Sequence, residues 1–289
     1  MTPNIAMASG PFSPKYTRSH PLIVTRPPDY TNFLPRIYEE LSQGYNLSRD
    51  NSIRNPIIKS LDTILTPTQI QHCLTASQQY ENIKEYETIT GILITKLIQN
   101  SHDDGNTTFQ LDVRGLKPIH RLGANLMKTK HTLTISCLGT VGYDSANESN
   151  DVTFYFQKAG SRCGAYCSST VYVENPENNC GLNSNGRFYI RQGKSIGHIG
   201  KHGAKFWIQT MGTKSATYST NNTYTFHAAD LHRFGEMSLE LNARTHDPTL
   251  VQQLEIMDIK TEKLYLSQWY QRWDRAERIF EQLNEEASR

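Results

Sequence analysis

The chain has 289 residues, 37% hydrophobic and 20% charged, enough apolar material for one large folded unit or two small ones. Thirty Lys plus Arg against 28 Asp plus Glu leave a formal charge of +2 with no block of five like charges, which excludes a nucleic-acid binder that works by bulk charge. Apolar runs such as Ile92-Leu93-Ile94 stop far short of the roughly 18 residues a membrane span needs.

Residues 1–31 read as a flexible arm. They are rich in Pro, Ser and Thr, and their one apolar cluster, Leu22-Ile23-Val24, is too short for a secretory signal peptide. Residues 32–105 read as a helical lobe. Phe33, Ile37 and Leu41 recur at helical spacing, as do Ile83, Tyr86, Ile89, Ile92, Leu93 and Leu97. Thr66-Pro67 supplies a capping residue and a first-turn proline ahead of a helix over Gln69 to Tyr80. Turn-forming residues from Ser101 to Asn106 end the lobe.

Residues 106–260 change to short runs of β-branched and aromatic residues. The strands predicted are Thr108–Val113, Thr132–Leu138, Val152–Gln157, Thr170–Glu174, Phe188–Arg191, Lys205–Thr210 and Thr223–His227. Gly, Asn, Asp and Ser bound each run, which predicts a mostly antiparallel sheet lobe, and no internal repeat stands out. Residues 261–289 predict a C-terminal helix packed on the core, with Leu264, Trp269, Trp273, Ala276, Ile279, Phe280 and Leu283 forming its apolar stripe. The fold class expected is therefore α+β.

Five cysteines, an odd count, argue against a full disulfide framework. Cys163, Cys167 and Cys180 with His198 or His202 allow a zinc knot, one disulfide, or buried free thiols, and the sequence leaves all three open. Gly193-Lys194-Ser195 looks like the end of a P-loop, but Phe188 occupies the position of the required glycine, so no P-loop is present.

One stretch carries a mechanism. In Phe109 to Gly123 a β-run delivers Arg114 at its end, followed by Gly115, Pro118, Ile119 and Gly123. It resembles the first motif of the mono-ADP-ribosyltransferase toxins of the cholera and pertussis type. In that family an Arg at a strand end precedes a Pro, an Ile and a Gly. The resemblance covers about 15 residues and implies that Arg114 and Gly115 bind NAD, the substrate, with charge-assisted hydrogen bonds of about 1.5–3 kcal/mol each to the pyrophosphate.

The family's Ser-Thr-Ser strand has its nearest match in Ser168-Ser169-Thr170, and its final Glu/Gln-x-Glu motif in Gln253-Leu254-Glu255. Glu255 would stabilise the oxocarbenium-like state and Gln253 would orient the acceptor. The implied protein is an NAD-dependent transferase modifying a host protein, either a bacterial effector secreted into the host cytoplasm or a cytoplasmic enzyme. Two other functions stay open. One is a non-enzymatic viral or phage structural or attachment protein, suggested by the proline-rich arm and many short strands. The other is a Cys-His hydrolase built from Cys137 or Cys163 with His198 or His227.

Overall fold

The computed structural model describes residues 30–44, 56–128, 131–193, 204–211, 223–226, 253–254 and 278. Four α-helices come first: α1 (Tyr30–Gly44), α2 (Pro56–Lys59), α3 (Pro67–Ser77) and α4 (Tyr86–Asp103). Helix α3 starts on a capping box in which the Thr66 hydroxyl accepts from the Gln69 amide and the Gln69 side chain accepts from the Thr66 amide. Helix α4 buries residues on all sides, among them Ile89, Ile92, Leu93, Ile94, Leu97 and Ile98. A helix apolar all round is an interior helix.

Eight strands follow: β1 (Thr108–Asp112), β2 (Leu133–Val141), β3 (Val152–Ala159), β4 (Thr170–Pro176), β5 (Arg187–Gly193), β6 (Lys205–Met211), β7 (Thr223–Phe226) and β8 (Gln253–Leu254). Strands β1 to β7 lie where the sequence predicts, β8 was not among the predicted strands, and the antiparallel expectation is overturned. Each strand pairs with the next in chain order, and every pairing is parallel. The molecule is a β-solenoid preceded by helices. Strands β2 to β7 begin every 17 to 19 residues, and connections of ten residues join β2 to β3, β3 to β4 and β4 to β5. That length suits a full coil returning to the same edge, whereas hairpins use about two to five residues.

The expectation of no internal repeat is overturned as well. Each coil bends through three left-handed residues at alternate positions: Arg121, Gly123, Asn125; Asp144, Ala146, Glu148; Arg162, Gly164, Tyr166; Asn179, Gly181, Asn183. Backbone hydrogen bonds stack these bends. The amides of Ala146, Gly164 and Gly181 donate to the carbonyls of Leu122, Ser145 and Cys163, each at 2.8 Å. The middle position explains the glycines. A Cβ on Gly123 would stand 2.5 Å from the Phe154 ring, one on Gly164 2.6 Å from Phe188, and one on Gly181 2.6 Å from Phe206. Ala146 takes that position where the corresponding strand residue is the smaller Val171.

Two interior columns run through the strands. One holds Phe109, Ile135, Phe154, Val171, Phe188 and Phe206, the other Leu111, Cys137, Phe156, Val173 and Ile190, all 0% exposed. An open first coil would leave backbone amides unsatisfied. Helix α4 closes it: the Glu87 carbonyl accepts from the His120 amide (3.1 Å), the Thr95 hydroxyl from Gly123 (2.8 Å) and the Gln99 side chain from Met127 (3.1 Å). At Gly91 the helix touches the coil so closely that a Cβ would collide with the His120 carbonyl. Gln71 of α3 both accepts from the Asp112 amide and donates to its carbonyl, covering the outer edge of β1 as another strand would.

Candidate functional site

Arg114 follows β1 by two residues, in a turn with Gly115 at φ +76°. Both are exposed. The guanidinium reaches back to Asp112, with Nε donating to Oδ1 at 3.0 Å and Nη2 to Oδ2 at 2.8 Å, while the Arg114 amide also donates to Oδ1 at 3.0 Å. Partial burial pushes the Asp112 carboxyl up, but the Arg114 hydrogen bonds outweigh it and hold the carboxyl below its usual range. The cation expected to hold a pyrophosphate is thus already forked onto a carboxylate two residues away.

Ser168, Ser169 and Thr170 lie at the other end of the strands. Thr170 opens β4 and is aligned, through Thr153 and Thr134, with Thr108, the first residue of β1. Six residues along the strand and three strand steps put Arg114 about 24 Å from Thr170. Ser169 is buried, accepting from the Ser149 hydroxyl (2.9 Å) and the Val152 amide (3.2 Å), so it braces a coil bend. The Ser168 hydroxyl donates to Asn150 in the neighbouring coil.

Gln253 opens β8 opposite Thr223, seven strand steps from β1 in the column of Thr108. That separates it from Arg114 by about 39 Å. Glu255 lies outside the described residues. The register therefore brings together neither Arg114 with Ser168 to Thr170 nor Arg114 with Gln253, and a single dinucleotide does not span these gaps.

The thiols are no better placed for chemistry. Cys73, Cys137, Cys163, Cys167 and Cys180 are all free and buried. Burial pushes Cys73 up to about 12 and Cys167 up to about 11. The neighbouring Cys180 thiol, together with burial, also holds Cys163 well above the usual thiol range. A nucleophilic cysteine needs the opposite shift. Cys163 and Cys180 occupy the same position in adjacent coils, and among the described residues no group of His, Cys, Asp and Glu is arranged to hold a metal ion. His198, His202 and His227 lie outside the described residues.

The columns themselves are the feature sequence reasoning missed. Arg121, Asp144 and Arg162 hold one position in three successive coils. The buried Asp144 carboxylate lies 2.5 Å from Arg162 and 3.5 Å from Arg121. Beside them the His120 ring packs against Tyr143, with centroids 3.9 Å apart and planes tilted by 35°. On the outward face of the sheet run Thr108, Thr134, Thr153, Thr170, Arg187 and Lys205, partly or fully exposed at successive strand steps.

The signal for these columns is the recurrence of Arg121-Leu-Gly-Ala-Asn, Asp144-Ser-Ala-Asn-Glu, Arg162-Cys-Gly-Ala-Tyr and Asn179-Cys-Gly-Leu-Asn. By sequence spacing, Ser195-Ile-Gly-His-Ile and Lys214-Ser-Ala-Thr-Tyr continue it. Gly193-Lys-Ser-Ile-Gly197, which has the spacing of a hydrolase nucleophile turn, falls on this repeat.

Fold and columns together define a parallel β-solenoid closed at its first coil by helices. No family model, curated protein or solved structure matches the chain. No helix among the described residues is long and apolar enough to cross a membrane.

Proposed function

We propose that the chain is a non-enzymatic structural or attachment protein whose working surface is the side of the solenoid. The observation that carries this reading is the register. It holds the residues of the transferase motifs tens of ångströms apart while stacking chemically similar side chains at each strand step, about 4.8 Å. A lateral surface of that kind suits an extended partner whose own contacts repeat, because each coil offers the same position again. Helix α4 and Gln71 blunt the first coil against end-to-end pairing, as expected of a protein that binds through its side.

Thermal unfolding with and without NAD tests the reading. A transferase holding NAD at a hundred times its dissociation constant gains about 2.7 kcal/mol. The expected result is no shift and no release of nicotinamide, in the native chain and in Arg114→Ala alike. A saturable NAD shift that Arg114→Ala removes would overturn the proposal.

A further inference from the structure

The middle outward column of the sheet holds Gln110, Ser136, Tyr155, Tyr172 and Tyr189. The tyrosine rings stack along it, with centroids 4.7 and 4.6 Å apart and planes within 10°. Outward-facing side chains are normally wet, and the flanking Thr153 and Gln157 are partly exposed. Yet Ser136 is 1% exposed, Tyr155 3% and Tyr189 2%, with Tyr172 between the two tyrosines partly exposed. All three tyrosines make contacts beyond their mutual stack, although the main described neighbours of β3, β4 and β5 are the other strands of the sheet. Most of this column is therefore shielded from water although it faces out of the solenoid.

We propose that this column is the seat of the chain's own C-terminal segment, Thr261 to Ser288, lying as a helix along the outer face of the solenoid. Length supports it: 28 helical residues extend about 42 Å, and the seven strand steps from β8 back to β1 extend about 33 Å. The segment leaves the sheet just after β8, at the far end of the column, so one helix can run back along it.

The chemistry matches too, since Trp269, Trp273, Ala276, Phe280 and Leu283 form one apolar stripe with two indoles to lay on the tyrosines. Arg278, the one described residue in the segment, is helical and exposed. At 3.6 residues per turn it stands about 180° from the middle of that stripe. The arm of residues 1–29 is the weaker occupant, because Leu22-Ile23-Val24 is its only apolar cluster.

The deciding experiment replaces Tyr172 in the full chain with p-benzoylphenylalanine, an aromatic for an aromatic, and maps photocrosslinks by mass spectrometry. Crosslinks within one molecule to peptides from 261–288 are expected. Crosslinks to residues 1–29, to a second copy, or to no part of 261–288 would overturn the proposal. As a second measurement, hydroxyl-radical labelling of Trp269→Ala/Trp273→Ala should rise several-fold at Tyr155 and Tyr189 while Tyr38 and Tyr86, buried among the helices, stay protected. Unchanged protection at Tyr155 and Tyr189 would also overturn it, and if Tyr38 and Tyr86 become labelled as well, the crosslink map alone decides.

Discussion

Replacing Gly164 by alanine tests how the coils are stacked. Gly164 has φ +65°, a left-handed conformation that costs an alanine about 1–2 kcal/mol. Its new methyl would also stand 2.6 Å from Cε1 of Phe188 and 3.4 Å from Sγ of Cys167, in an interior where overpacking costs about 1–3 kcal/mol. Gly164→Ala should therefore lose about 2–5 kcal/mol, a large share of a typical domain's stability. Phe188→Val alone empties part of the same space and should lose about 2–4 kcal/mol, somewhat under the usual cost of truncating a buried Phe to Ala.

The native coil with Ala146 in this position, beside Val171, shows how the two changes combine. A valine at 188 makes room for the methyl, so Gly164→Ala/Phe188→Val should lose about 1–3 kcal/mol less than the sum of the single variants, the left-handed strain remaining. Urea unfolding of the four proteins gives the coupling directly. Additivity within about 0.5 kcal/mol would refute the steric account.

Asp144→Asn should cost about 2–4 kcal/mol, because its carboxylate is 2% exposed between Arg121 and Arg162, whereas Asp112→Asn, whose carboxylate is 25% exposed beside Arg114, should cost under about 1 kcal/mol; equal losses in urea would contradict this. Burial lowers the pKa of His120 against the opposing pull of Glu87, Asp144 and Glu85, with Arg121 adding to the lowering. The unfolded chain therefore takes up this proton first, and stability should fall as pH drops through about 6.5 toward the lower folded value. His120→Gln should flatten the dependence of the urea midpoint between pH 8 and 5, and an unchanged slope would count against it. None of the five thiols should react with a disulfide reagent in the native protein and all five should react in denaturant; rapid native labelling of one of them would reopen the hydrolase reading.

Strand positions were legible because β-branched and aromatic runs such as Val152 to Phe156 carry their preference locally, and the cap at Thr66 was legible because its partners lie within three residues. Strand direction was not, because the same Gly, Asn and Ser residues that bound a hairpin also bend a solenoid coil. The decisive quantity is connection length and what the chain meets on its return. The repeat was hidden because its left-handed positions accept Arg121, Asp144, Ala146, Glu148 and Tyr166 as well as glycine. Hydrogen bonds from neighbouring coils help hold those bends, so the chemical identity of each residue is loosely constrained while its conformation is not.

The Arg114 motif shows the same division at the candidate site. Local sequence placed an arginine at a strand end before a glycine turn, and the structure has it there. Whether a serine or a carboxylate stands across from it depends on pairing register. Parallel in-order stacking sends Thr170 and Gln253 to the opposite ends of their strands and up to seven steps away, because side chains far apart in sequence meet only where backbone pairing brings them together.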